Sequence, residues 1–416
     1  MPSLAAPAFH WRDLTEVDLR IEHPLLRQPI SLIVDDPTPG YNPAYFHSGF
    51  RNGPMHTSRE LVDRFADLVE ATKIRGKFSV IPYPFGLGRV DQAVAGVSGA
   101  DLAYFLDVTR ERIAPWLDIT PEALTHWNAL DLATGQLLPL WEHVWSRDQD
   151  RETLLPYLAL GLEILDQVGL PCKGVTSPWD FGARVEDEYA EAILAAQQAV
   201  HGNSLSWYFL QADGQSTHVP PRLTIHRPEA GEAVVSLVAC DRYDFGMGLW
   251  SGQAADPDMR IDAAGQGGRL AEVLRAGGPA VFHTHWQTMF AQGSLRGLAA
   301  LAEVIRRVND HFGDRVVWTS CDDLAHYAAV AESLTATAAP SAEGTLALRL
   351  TSPFPCARLT ISLGGMHEPR AVRLDGVPLA RVETADALRE GAYAVRDDRL
   401  YLCWNLSGDH TLTVLT

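Results

Sequence analysis

Between Ile30 and about Tyr327, short unbroken apolar runs alternate with longer stretches in which apolar residues recur at three- and four-residue steps. The first pattern predicts strands buried on both faces, the second amphipathic helices, and their alternation predicts βαβ units around a mainly parallel sheet. The strand candidates are ISLIVDD, KFSVIPYP, GVTSPW, SLSWYFL, VVSLVACD, PAVFHTHW and VVWTS. The clearest helices are SRELVDRFADLVEATKI, ADLAYFLDVTRERIAPWL, TLLPYLALGLEILDQV, EDEYAEAILAAQQAV and LRGLAALAEVIRRVNDHF. Ser58, and Thr120 ahead of Pro121 and Glu122, read as helix starts. An α/β barrel is the natural architecture for such a series.

The pattern changes near Ala331. The segment 331–345, AESLTATAAPSAEGT, is rich in Ala, Thr and Ser with a Pro and a Gly, and reads as a linker. From 346 to 416 the runs LALRLTS, ARLTISLG, AVRLDGVPL, AYAVRDD, RLYLCWNL and HTLTVLT alternate at two-residue spacing with turn signals between them. That predicts a small antiparallel β-sandwich. Residues 1–29 read as an irregular lead-in packing on the barrel, which spans 30–330.

Composition narrows the function classes. The chain of 416 residues is 46% hydrophobic and 21% charged, ordinary globular usage that excludes disorder, coiled coil and collagen. A net charge of −18 repels phosphate backbones and anionic lipid surfaces, so neither nucleic acid nor membrane is expected as a partner. The apolar runs are strand-sized, far short of the roughly 20 residues a spanning helix needs. MPSLAAPAFHWRDLTEVDLR shows neither a basic nor an apolar leader region, so the expected location is cytoplasmic. Cys172, Cys240, Cys321, Cys356 and Cys403 are widely spaced in apolar stretches and read as reduced core residues. Nothing in the sequence signals an oligomeric state.

Parallel α/β barrels place their sites at the carboxyl ends of the strands. SLIVDDPTPG ends in Asp35 and Asp36, on opposite sides of the pleat, so that one carboxylate can bind a metal while the other acts as a base. The loop after them carries Tyr41, a substrate-contact candidate, with His47 and His56. THWNALD brings His126 and Asp131 within five positions, a pair that a divalent ion could take. TSPWDFG offers Trp179 and Asp180 as a pocket wall. VVSLVACDRYD ends in Asp241 with Tyr243 and Asp244 behind it, carboxylates suited to orienting a catalytic histidine. In PAVFHTHW, His283 and His285 face the same side of their strand, a spacing that suits a zinc ion or supplies a general acid. Trp127, Trp179, Trp250 and Trp286 adjoin these motifs, and flat aromatic faces suit sugar rings.

Taken in order, the strand-end motifs resemble the polysaccharide deacetylase superfamily, the carbohydrate esterases of family four. SLIVDD is similar to its first motif, which implies Asp35 as base and Asp36 as metal ligand. THWNALD stands where the family has a His-x-x-x-His metal pair; His126 matches and Leu130 occupies the second histidine's place, so that either Asp131, one residue later, substitutes as a ligand or the metal is lost or weakly held. TSPWDFG resembles the Arg-Pro-Pro-Tyr-Gly stretch, keeping Pro178 and lacking the arginine that steadies the base. VFHTHW resembles the last motif, with His283 or His285 as general acid. The resemblance covers roughly 30–330. It implies a distorted (β/α)7-type barrel, a divalent metal such as zinc, and hydrolysis of an acetyl group from a carbohydrate, an acetylated amino sugar above all. The residues leave open a metal-independent amidohydrolase, a glycosidase using Asp35 and Asp241, and a binding protein on a dead barrel.

Overall fold

The computed structural model describes residues 13–14, 18–39, 58–241, 255–339, 341–342 and 344–415. Tyr41, His47, His56, Tyr243, Asp244 and Trp250 lie outside them.

Strands β1 (Asp13–Leu14) and β2 (Leu19–Ile21) precede the α/β part. Its strands are β3 (Gln28–Asp35), β4 (Gly76–Val80), β5 (Leu117–Pro121), β6 (Asn128–Asp131), β7 (Gln136–Trp141), β8 (Gly174–Thr176), β9 (Leu205–Ala212), β10 (Arg222–Arg227), β11 (Glu232–Ala239), β12 (Ala280–His285) and β13 (Val316–Trp318). Every apolar run read as a strand is one. They form two main sheets and a separate antiparallel hairpin, β6 with β7, rather than one closed barrel. One runs β12-β3-β4-β5 with β13 also on β3, and the other runs β10-β11-β9-β8. Within these two sheets all pairings are parallel except β10 with β11. The sheets touch at a parallel bridge between Glu122 and Thr176, and where the Cys240 N–H donates to the Val281 carbonyl at 2.6 Å.

The helices follow their apolar periods. Ser58 caps Arg59–Thr72, accepting from the Leu61 N–H, and Leu61, Phe65 and Val69 are buried against the sheet. Thr120 and Pro121, in contrast, start no helix: they close β5, where proline's missing N–H costs little at a strand end. The stretch 100–117 is helical to Val108, continues as a wider turn to Ile113, and then enters β5. All five cysteines are free and buried. Among the described residues no helix is long and apolar enough to cross a membrane.

The remaining strands are β14 (Thr335–Ala338), β15 (Thr345–Thr351), β16 (Cys356–Gly364), β17 (Ala371–Leu374), β18 (Val377–Pro378), β19 (Ala380–Arg381), β20 (Ala392–Arg396), β21 (Arg399–Leu406) and β22 (His410–Leu415). They build two sheets, ordered β1-β2-β16-β21-β20-β19 and β14-β15-β22-β17-β18, antiparallel except for β19 with β20. Leu19 and Ile21 alternate with Arg20, so this piece of the lead-in pairs with β16. The expected linker 331–345 holds the end of helix Cys321–Ser333 and all of β14. That helix shares one apolar cluster with β9, β11 and both C-terminal sheets, through Leu324, Ala328, Trp207, Val235, Ile361 and Leu412.

Candidate active site

Strand β3 carries Asp35 and Asp36 to one end of the sheet. The strand stops at Asp35, and Asp36 turns into the left-handed region at φ 65°, which an aspartate tolerates. Both carboxylates therefore line one cavity instead of facing opposite sides of a pleat.

Asp35 is held from β4. Gly76 at the start of that strand lies so close to β3 that a Cβ would meet the Leu32 carbonyl oxygen at 1.8 Å. This close approach sets Lys77 opposite Ile33. The fully buried Lys77 Nζ donates to Asp35 Oδ1 at 2.6 Å and to Ser79 Oγ at 2.6 Å, and lies 5.1 Å from the centre of the Phe209 ring. Ser79 Oγ lies 3.2 Å from the same Asp35 oxygen. The cation beside Asp35 is thus Lys77, which comes from β4 and not from TSPWDFG.

Asp36 meets two groups from the end of β5. Its N–H donates to Glu122 Oε2 at 2.7 Å, and its Oδ1 lies 2.7 Å from His126 Nε2, which is 3.3 Å from Glu122 Oε1. One ligand atom from each of Asp36, Glu122 and His126 lies within 4.8 Å of the others. Burial pushes the Glu122 carboxyl up, and the Asp36 charge adds to this, to about 7. For Asp36 burial acts the same way but the His126 imidazole outweighs it and holds the carboxyl well below its ordinary value. Burial opposes the charge on His126, yet the two carboxylates raise it well above 6.5.

The donor set fits a divalent cation. Two carboxylates and one imidazole converge at the cavity wall, three protein donors with an open side, which is how catalytic metal sites are built. Asp131 is not one of them. It closes β6 ahead of the turn into β7, where its Oδ1 accepts from the N–H groups of Ala133 and Thr134. Glu122 is the third member of the cluster.

Strand β12 runs alongside β3 with His285 opposite Asp35, so His283 and His285 both line the cavity. Their rings are 5.6 Å apart. His283 Nδ1 is 3.0 Å from Asp241 Oδ1, and the buried Arg260 donates from Nε to Asp241 Oδ2 at 2.9 Å and from Nη2 to the His283 carbonyl at 2.5 Å. Burial pushes the Asp241 carboxyl up, but Arg260 and His283 hold it below its ordinary value. Both Asp241 oxygens are thereby engaged, Oδ1 by His283 and Oδ2 by Arg260.

The cavity measures about 350 Å³ and is also lined by Trp141, Ser177, Trp179 and residues 209–212 of β9. Trp179 is 45% exposed, with its ring 4.6 Å from His126 and 4.8 Å from Trp141. Trp127 stands behind Trp141 at 5.0 Å. Asp180 pairs with Arg147 at 2.9 Å and is not among the lining residues. Trp286 is no platform: it is 1% exposed, edge-on to Phe65 and Phe78 in the core beneath the site.

No protein-family model and no curated protein sequence matches the chain. Solved structures similar to it include a CE4 family pseudoenzyme from Bacillus anthracis, at 10% identity and a TM-score of 0.33, covering 72% of this chain and 65% of that one. The peptidoglycan deacetylase PdaC from Bacillus subtilis is similar at 10% identity and TM-score 0.27, covering 72% and 91%. A GH30 endoxylanase from Clostridium papyrosolvens is similar at 10% identity and TM-score 0.32, covering 94% and 96%. Likeness at this level says nothing of chemistry, which rests on the site's own residues.

Proposed function

We propose that the protein is a metal-assisted hydrolase that removes an acyl group, acetyl in the first instance, from a carbohydrate. The observation that carries this reading is the convergence on one cavity of three differently prepared groups: Asp35 beside Lys77, the Asp36, Glu122 and His126 cluster, and His283 held by Asp241. A divalent ion held by Asp36, Glu122 and His126 supplies Lewis-acid chemistry, acidifying water and polarising a carbonyl oxygen. Asp35, its Oδ1 engaged by Lys77 and Ser79, accepts the proton of the attacking water. Asp241 holds His283 through Nδ1, so the opposite ring nitrogen delivers a proton to the departing amine or alcohol. The exposed face of Trp179 and the edge of Trp141 offer a flat apolar wall for a sugar ring, while backbone and Ser177 supply polar contacts.

A glycosidase using Asp35 and Asp241 is disfavoured, because the second carboxylate is buried and bonded to Arg260 and His283 instead of lining the cavity. The test is metal analysis together with release of acetate from acetylated sugars. Wild type should bind about one ion and turn over, and Asp35→Asn should bind it and lose turnover. Full activity in Asp35→Asn removes the base, and turnover in metal-stripped protein removes the ion.

A further inference from the structure

A ligand histidine is usually oriented through its second ring nitrogen, which donates to a carboxylate or carbonyl. His126 lacks this support: its Nδ1 is buried and has no hydrogen-bond partner among the described residues. Its backbone is also held in the left-handed region at φ 51°, three residues after Ala123 at φ 40°, a conformation uncommon for any residue but glycine. Something must hold this loop from elsewhere.

The group that does so is Glu142, the first residue of the short helix Glu142–Trp145, fully buried. Its Oε1 accepts from the His126 N–H at 2.6 Å and its Oε2 from the Thr125 N–H at 3.1 Å. Tyr157 donates to Oε2 at 2.8 Å and in turn accepts from the Leu130 N–H at 3.3 Å. Glu142 also donates its own N–H to the Trp127 carbonyl at 2.7 Å and directly follows Trp141 of the cavity wall. One carboxylate thus joins the loop that carries His126 to the hairpin that carries Trp141.

We infer that Glu142 is the positioning residue of this site: gripping the backbone at Thr125 and His126, it aims the imidazole at Asp36 and Glu122 and fixes Trp141 beside it. The inference rests on the reading of His126 as a metal ligand, and its test separates the two. In Glu142→Gln the amide nitrogen must face a backbone N–H or the Tyr157 hydroxyl, so one of the two grips on the loop fails while the shape of the side chain is kept. Tyr157→Phe removes one bond to the carboxylate and leaves both grips.

Zinc and manganese dissociation constants are measured by chelator competition, and deuterium uptake is followed over 123–130 and over β9 and β11. The expected result is that Glu142→Gln weakens both ions about ten-fold or more, raises uptake over 123–130, and leaves β9 and β11 at wild-type protection, with Tyr157→Phe, which frees only the Leu130 N–H of that segment, close to wild type in both affinities. Wild-type affinity in Glu142→Gln overturns the inference, and so does uptake that rises equally in all segments. If the wild type binds neither ion, the metal reading falls, and uptake over 123–130 alone decides: a local rise in Glu142→Gln sustains the positioning role and no change overturns it.

Discussion

Lys77 Nζ sits 2.6 Å from Asp35 Oδ1, with both side chains essentially withdrawn from solvent. Breaking a buried pair by removing one partner leaves the other charge desolvated and uncompensated, at a cost of about 3–5 kcal/mol. Lys77→Met is therefore expected to lower stability by that amount. The double variant Lys77→Met, Asp35→Asn removes both charges and should recover most of the loss, a non-additivity visible in urea unfolding. Additive losses would show that the two groups do not hold each other.

Two tryptophans flanking the site should behave oppositely. Trp286 packs edge-on to Phe65 and Phe78 in the core, so Trp286→Ala should cost about 3–5 kcal/mol of stability. Trp179 is 45% exposed on the cavity wall. Trp179→Ala is expected to leave the unfolding midpoint nearly unchanged and to raise KM about ten-fold, the upper range for one stacked aromatic face. Steady-state kinetics on an acetylated sugar read this directly. An unchanged KM removes Trp179 from the substrate wall.

What the sequence discloses here follows from the range of the interactions. Strands covered on both faces announce themselves as apolar runs, and polar residues closing them, Asp35, Asp36, Asp241 and His283, stand out against that background. Glu122 does not, because Thr120-Pro121-Glu122 has the local form of a helix start, and only pairing of β5 with β4 turns it into a strand end. Lys77 is hidden for a related reason: its partner is 42 residues away and meets it only across two paired strands. Asp131 shows the reverse error. Closeness to His126 in sequence suggests a shared ion, yet the hairpin turns its carboxylate onto its own backbone. Trp286 likewise adjoins a motif but points into the core.

The cluster's chemistry makes a prediction about which ion it favours. Carboxylates suit harder ions such as manganese, and imidazole suits zinc. With two carboxylates and one imidazole, Asp36, Glu122 and His126 lean toward the harder end. Glu122→Ala should weaken zinc and manganese alike, whereas Glu122→His should raise the ratio of zinc to manganese affinity about ten-fold or more. Chelator competition with each ion measures both. A ratio that stays constant in Glu122→His means that this side chain does not touch the ion.

Far from the cavity, His23 sets a pH dependence of stability. Its Nε2 lies 3.1 Å from the Gly277 carbonyl in a buried setting, and burial lowers its pKa from 6.5 to about 4. In the unfolded chain the same imidazole takes up a proton near 6.5, so between that pH and about 4 the unfolded state binds more protons than the folded one. The contribution is complete above about 6.5 and declines as pH falls, by about 1.4 kcal/mol per unit, reaching about 3 kcal/mol at pH 4. His23→Gln keeps a donor for Gly277 and cannot titrate. Urea midpoints between pH 7 and 4 should therefore fall more steeply for wild type than for His23→Gln, the gap opening below pH 6.5. Parallel curves would mean that His23 charges as readily in the folded protein as in the unfolded chain.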